Sequence, residues 1–147
     1  MDHDVLIKEF IKNMQTLRAA GRKGEVQENI QGETYVLIFI KESSGKVIPS
    51  DISNAVGVSS ARVATALNGL EEKGLITRTI DSEDRRKIIV EVTPKGAEYA
   101  EEQQNKAIER MRSIISMLGE EDSKELVRII GRLAEIISKN PKGCDRQ

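Results

Sequence analysis

The sequence predicts a mainly α-helical chain with one small β-hairpin, an α+β arrangement. Three observations carry this. Apolar residues recur at steps of three and four along most of the chain. One stretch after Gly74 switches to a period of two on both sides of a polar tip. Aromatic residues make up only 3% of the chain and Trp is absent, so the core must be aliphatic and a sheet of stacking aromatics is disfavoured.

The first helix is expected from Val5 to about Ala20, with Leu6, Phe10, Met14 and Leu17 on one face and Ile7 and Ile11 beside them. Gly21 and Gly24 end it, and the polar stretch from Arg22 to Gln31 reads as a connection. The run Tyr35 to Ile40 is apolar throughout, so periodicity does not separate a buried helix from a buried strand there. Ser43-Ser44-Gly45 breaks it. A short helix then opens at Ile48-Pro49-Ser50-Asp51, where proline suits the first turn and Asp51 complements the positive end of the dipole. Its expected inward face is Ile52, Ala55 and Val56, and Gly57 stops it. Ser59 caps the next helix, whose inward face is Val63, Leu67 and Leu70 and whose end is Lys73-Gly74.

The period-two runs follow. Ile76, Arg78 and Ile80 alternate with Thr77, Thr79 and Asp81; Ile88, Val90 and Val92 alternate with Ile89, Glu91 and Thr93. The tip between them is Asp81 to Arg86, and Thr93-Pro94 closes the hairpin and starts a helix. From Lys95 to Leu118 the stripe Ala97, Ala100, Gln104, Ala107, Met111, Ile114 and Leu118 is heptad-like. After Gly119, a last amphipathic helix carries Leu126, Ile129, Ile130, Leu133, Ile136 and Ile137 and ends near Asn140-Pro141. The organisation expected is therefore a dimerisation helix and connection at 1–30, a DNA-binding domain at 31–96, dimerisation helices at 97–140 and a disordered tail at 141–147.

A short helix, a tight turn, a second helix and a charged hairpin form, in that order, a winged helix-turn-helix core between terminal helices. The outer face of the second helix carries Ser60, Ala61, Arg62, Thr65, Asn68 and Gly69, small or hydrogen-bonding residues that let a helix approach base edges in a major groove. A guanidinium at Arg62 suits guanine O6 and N7, and Ser59 with Ser60 at the helix N-terminus suits a phosphate. Arg85, Arg86 and Lys87 at the hairpin tip suit a minor groove or backbone. Taken alone, that tip is equally well a solvated turn; it gains meaning from the helix-turn-helix before it.

The formal net charge is −1, so any DNA affinity must come from local charge. Between Gly57 and Gly96 seven basic residues face six acidic ones, and placement rather than sum has to make the surface positive. One histidine (His3) and one cysteine (Cys144) leave no zinc set, no His-dependent triad and no intrachain disulfide. Asp81, Glu83 and Asp84 cluster without another ligand type beside them, and a structural part in the wing accounts for Asp84. No Walker loop, GxGxxG, leader or membrane-length apolar run is present, so the expectation is a cytoplasmic non-enzyme without cofactor or membrane partner. Cys144, in a polar tail, is not expected to sense oxidants.

The run from Val58 to Arg78, joined to Asp84-Arg85-Arg86 and to Val92-Thr93-Pro94-Lys95-Gly96, resembles the MarR (multiple antibiotic resistance regulator) family over roughly Pro49 to Gly96. The resemblance implies a homodimer with interlocking terminal helices on a pseudo-palindromic operator in double-stranded DNA. It implies that the helix from Ser59 to Lys73 enters the major groove, that Arg86 enters the minor groove and that Asp84 fixes the wing. It also implies a transcriptional regulator, commonly a repressor released by a small aromatic or phenolic effector. The run Asn29-Ile30-Gln31-Gly32-Glu33 departs from the family's usual leucine-threonine start to the second helix. The alternative is a winged-helix module that binds protein rather than DNA.

Overall fold

The computed structural model describes residues 3–22, 28–43 and 47–140. Cys144, the rest of the expected tail and Gly24 lie outside the described residues. Six helices and one hairpin follow in the order α1 (His3–Arg22), α2 (Glu28–Glu42), α3 (Pro49–Val56), α4 (Ser60–Glu72), β1 (Ile76–Ile80), β2 (Ile88–Val92), α5 (Pro94–Leu118) and α6 (Glu120–Lys139). The chain divides into two compact units, residues 1–100 and 101–147.

The apolar run left open between helix and strand is helical. Val36, Leu37 and Ile40 are buried at helical spacing, whereas Tyr35 between them and solvent is exposed. The helix starts at Glu28, so the expected connection is shorter than Arg22 to Gln31. α2 packs on α3, α4 and β2. The core of the first unit joins Val36, Leu37 and Ile40 to Val47, Ile52, Val63, Leu67, Leu70, Leu75, Ile76, Val90 and Ala100. It is aliphatic throughout its buried set, as the composition requires.

α3 begins on Pro49, and the Asp51 carboxylate accepts a hydrogen bond from the Ile48 amide at 3.3 Å. Ile52 is fully buried and Val56, one turn on, packs half-buried against the core, but Ala55, expected inward, is exposed; Gly57 then reverses the chain at φ 72°. That left-handed conformation favours glycine.

The hairpin is antiparallel with Ile76 opposite Val92, Arg78 opposite Val90 and Ile80 opposite Ile88. Val47 adds a bridge on the free side of β2, where the Val90 amide donates to the Val47 carbonyl at 2.8 Å. The expected alternation fails toward the tip. Ile89 and Val90 are both buried, while Ile80 and Ile88 are exposed. The two strands outrun the core, so the inward face loses its partner before the turn is reached.

In the second unit, α6 begins at Glu120, earlier than its apolar residues indicate, with Glu120, Glu121 and Asp122 in the first turn where they complement the dipole. Ser123 is buried, and its hydroxyl donates to the Ile115 carbonyl at 3.0 Å, which fastens the corner between α5 and α6. The apolar stripe of α6 stays open to solvent.

Candidate nucleic-acid interface

The helix α4 is held by its inward face and its two ends. Val63, Ala66, Leu67 and Leu70 are buried. At its start, the Ser59 hydroxyl oxygen accepts from the Arg62 amide at 3.3 Å. At its end, the Gly74 amide donates to the Glu71 carbonyl and the Leu75 amide to the Leu70 carbonyl, each at 2.9 Å. This pair of bonds closes a helix only when the residue between takes a left-handed conformation, and Gly74 has φ 72°.

The opening of α5 clamps that same turn. Thr93 accepts from the Gly96 amide at 3.0 Å, as a helix cap, and donates its hydroxyl to the Gly74 carbonyl at 2.7 Å. The Lys95 ammonium donates to the Lys73 carbonyl at 3.1 Å. A side chain at Gly96 would collide with the Leu75 carbonyl oxygen. The Thr-Pro-Lys-Gly exit is therefore a device that fixes the end of α4.

Ser59, Ser60, Ala61, Arg62, Thr65 and Asn68 are all exposed, on the side opposite the buried residues. The Thr65 hydroxyl donates back to the Ala61 carbonyl at 3.0 Å, which leaves its oxygen as an acceptor. Gly69, expected on the same outer face, instead abuts α2, where a Cβ would strike the Glu33 carboxylate. Sequence spacing put it on the outer face because the helix wheel alone does not show where α2 crosses.

At the wing tip, Asp84 accepts from the Arg86 amide at 3.0 Å through its carboxylate, and its carbonyl accepts from the Lys87 amide at 3.0 Å. Asp81 likewise accepts from the Glu83 amide at 3.1 Å. The acidic cluster turns the backbone. Arg85, Arg86 and Lys87 stand exposed around it.

The near-cancelling charge now resolves by position. Lys73 pairs with Glu33 at 2.5 Å, and Arg78 pairs with Glu71 at 2.9 Å. Lys95 is spent on a carbonyl. Among the described residues, no ion pair engages the side chains of Arg62, Arg85, Arg86 or Lys87. Among the described residues from Gly57 to Gly96, the cations that remain available to a partner are those on α4 and at the wing tip. Sequence reasoning missed the two internal pairs, because Glu33 and Lys73 lie 40 residues apart, and Glu71 and Arg78, seven apart, meet only across the turn from α4 into β1.

Known proteins resemble this chain in sequence and fold. The model of the MarR family matches residues 30–87. The HTH-type transcriptional repressor MdtR of Bacillus subtilis (strain 168) is 32% identical over 117 residues, which cover 76% of this chain and 74% of that protein. The crystal structure of YusO from Bacillus subtilis superposes with a TM-score of 0.68 at 26% identity, over 92% of this chain and 99% of that one. FabT of Streptococcus pneumoniae, solved in complex with DNA, shares the fold with a TM-score of 0.66 at 21% identity, over 92% of this chain and 95% of that one.

Proposed function

The chain belongs to the MarR family of DNA-binding transcriptional regulators, and we propose that it acts as a homodimeric cytoplasmic repressor that a small aromatic or phenolic effector releases from its operator. In this reading α4 lies in the major groove. Arg62 donates to a guanine edge, Ser59 and Ser60 hold a phosphate at the helix start, and Ala61, Thr65 and Asn68 meet neighbouring base edges. The wing places Arg86 in the flanking minor groove with Arg85 and Lys87 on the backbone, while Asp84 shapes the turn that presents them.

The carrying observation is the sorting of cations. Lys73 and Arg78 are paired within the lobe, and Arg62, Arg85, Arg86 and Lys87 are left for an external anion. Leaving charges of one sign unpaired on two projecting features stabilises nothing in the isolated chain, but it matches a polyanion with a groove.

Dimerisation is supported by the apolar faces of α1, the later part of α5 and α6, which remain exposed and which a second copy would cover. Two copies present two α4 helices, hence a pseudo-palindromic site. A release mechanism needs no chemistry on the effector, only tighter binding to a dimer whose two α4 helices no longer match the half-site spacing. No helix among the described residues is long and apolar enough to cross a membrane.

The test is binding to genomic fragments selected by the protein itself, measured beside the same fragments with scrambled sequence. Selective binding that weakens steeply with salt is expected. Equal, salt-insensitive failure on both DNAs by a folded dimer would replace this reading with a protein-interaction module.

A further inference from the structure

The hairpin leaves the lobe quickly. Beyond Arg78, β1 has no buried side chain: Thr79 and Ile80 are exposed, and so is Ile88 opposite Ile80. On β2 the one buried side chain beyond Val90 is Ile89, opposite Thr79, and a two-stranded ribbon with so little packed surface is pliant by itself. At this boundary the Arg78 guanidinium meets the Glu71 carboxylate of α4 in a fork, Nε to Oε2 at 2.9 Å and Nη2 to Oε1 at 3.2 Å. Two parallel hydrogen bonds define an orientation as well as a distance, which a single lysine contact does not.

We propose that Glu71 and Arg78 are positioning residues that strap the wing to the reading helix, so that α4 and Arg86 meet DNA as one rigid unit. This rests on the reading above, in which Arg86 is the minor-groove contact. Within it, the strap gives Arg78 a part distinct from the other basic residues: it aims a cation instead of supplying one. Each partner holds the other charged. The Arg78 hydrogen bonds keep the Glu71 carboxyl below the usual glutamate range, and Glu71 raises the Arg78 guanidinium further. Both side chains are partly open to solvent, so the strap biases the wing angle and contributes little to the stability of the lobe.

The sign of one substitution separates this from a direct contact. If Arg78 touched phosphate, Glu71→Gln would remove a neighbouring anion, free the guanidinium and tighten DNA binding. If the pair is a strap, Glu71→Gln loosens the wing and weakens binding although the protein has become more positive. Arg78→Lys keeps the charge and loses the fork, and serves as the second variant. Binding is measured on a genomic fragment selected by the unaltered protein and on the same fragment with scrambled half-sites. Both variants are expected to weaken binding to the selected fragment by about two- to fivefold per half-site. In both, the penalty of Arg86→Ala should shrink while that of Arg62→Ala is unchanged; general destabilisation would reduce the two alike. Unchanged or tighter binding by Glu71→Gln, or a full Arg86→Ala penalty in either background, overturns the strap. An Arg86→Ala substitution without penalty in the otherwise unaltered chain overturns the wing reading itself, and the strap with it.

Discussion

The winged lobe and the terminal helices are built from the same aliphatic residues at similar spacing, yet they end in opposite states. In the lobe, Leu37, Ile52 and Val90 are fully buried and Leu67 and Leu70 nearly so. On α6, the residues Leu126, Val127, Ile129, Ile130, Leu133, Ile136 and Ile137 remain 39–64% exposed, and Phe10 on α1 is 61% exposed. Burial of an apolar stripe requires a surface to meet it, and α2, α3, α4 and the hairpin supply one another with such a surface inside a single chain. The stripes of α1 and α6 have no such surface among the described residues. One region is a closed core, and in the dimeric reading proposed above the other is half of one, so one should answer to stability alone and the other to protein concentration.

The sharpest break of that comparison is removal of everything after Gly119. Without the α6 stripe the chain should sediment as a monomer at all accessible concentrations and lose high-affinity operator binding, while the lobe stays folded by circular dichroism. A truncated chain that still dimerises and binds tightly would show that the exposed stripe of α6 is not the seam.

Single truncations should then divide the two regions. Leu67→Ala removes a side chain from a closed core and should cost about 2–5 kcal/mol of unfolding free energy, independent of protein concentration. Leu133→Ala should leave dilute protein nearly unaffected and raise the dimer dissociation constant by about 10–100-fold, because the cavity forms only where two copies meet. Denaturant melts across a range of concentrations measure both. Concentration-independent loss at Leu133 would refute the distinction.

Within the lobe the reading surface is finer-grained. Arg62→Ala should cost about 1–3 kcal/mol on the selected operator and far less on scrambled DNA. Arg86→Ala should weaken binding to many sequences, most where A·T tracts narrow the groove, and flatten the salt dependence by about one unit of slope per half-site. Isotherms at several salt concentrations decide. Both variants behaving as the unaltered protein on both DNAs would remove α4 and the wing from the interface.

The smallest expected effect is in acid. Because the folded Glu71 carboxyl sits below its ordinary range through its bonds with Arg78, its contribution is in place above the unfolded value and is lost only as pH falls through the lower folded one. Operator binding should therefore show no step from this pair near neutrality. An NMR titration of Glu71 with its midpoint at or above the ordinary glutamate value would show that the fork is not formed in solution.

Much of this was legible along the chain. The caps at Ser59 and Thr93, the stops at Gly57 and Gly74 and the period change into the hairpin are set by interactions within a few residues, and such signals survive in a one-dimensional string. The exposed residues of α4 were legible for the same reason, since the side away from Val63, Leu67 and Leu70 is determined by helix period alone. The state of Tyr35 to Ile40 was not, because a run buried on most sides loses its periodicity whichever structure it adopts. Gly69 was misplaced because its neighbour, Glu33, belongs to a helix that crosses from far away in sequence. The exposure of Ile80 and Ile88 was missed because alternation says which side of a strand is apolar, not where the core beneath it ends.

The sequence by itself determined most of the elements, their order and the buried face of α4, because capping, left-handed turns and hydrophobic period act over one or two helical turns. Only the tertiary structure decided which charges are available. Lys73 and Arg78 look in the string like Arg62 and Arg86, and they differ only because Glu33 and Glu71 are folded against them. Ion pairing depends on a separation of a few ångströms in space, and that separation exists only once α2, α4 and the hairpin have packed.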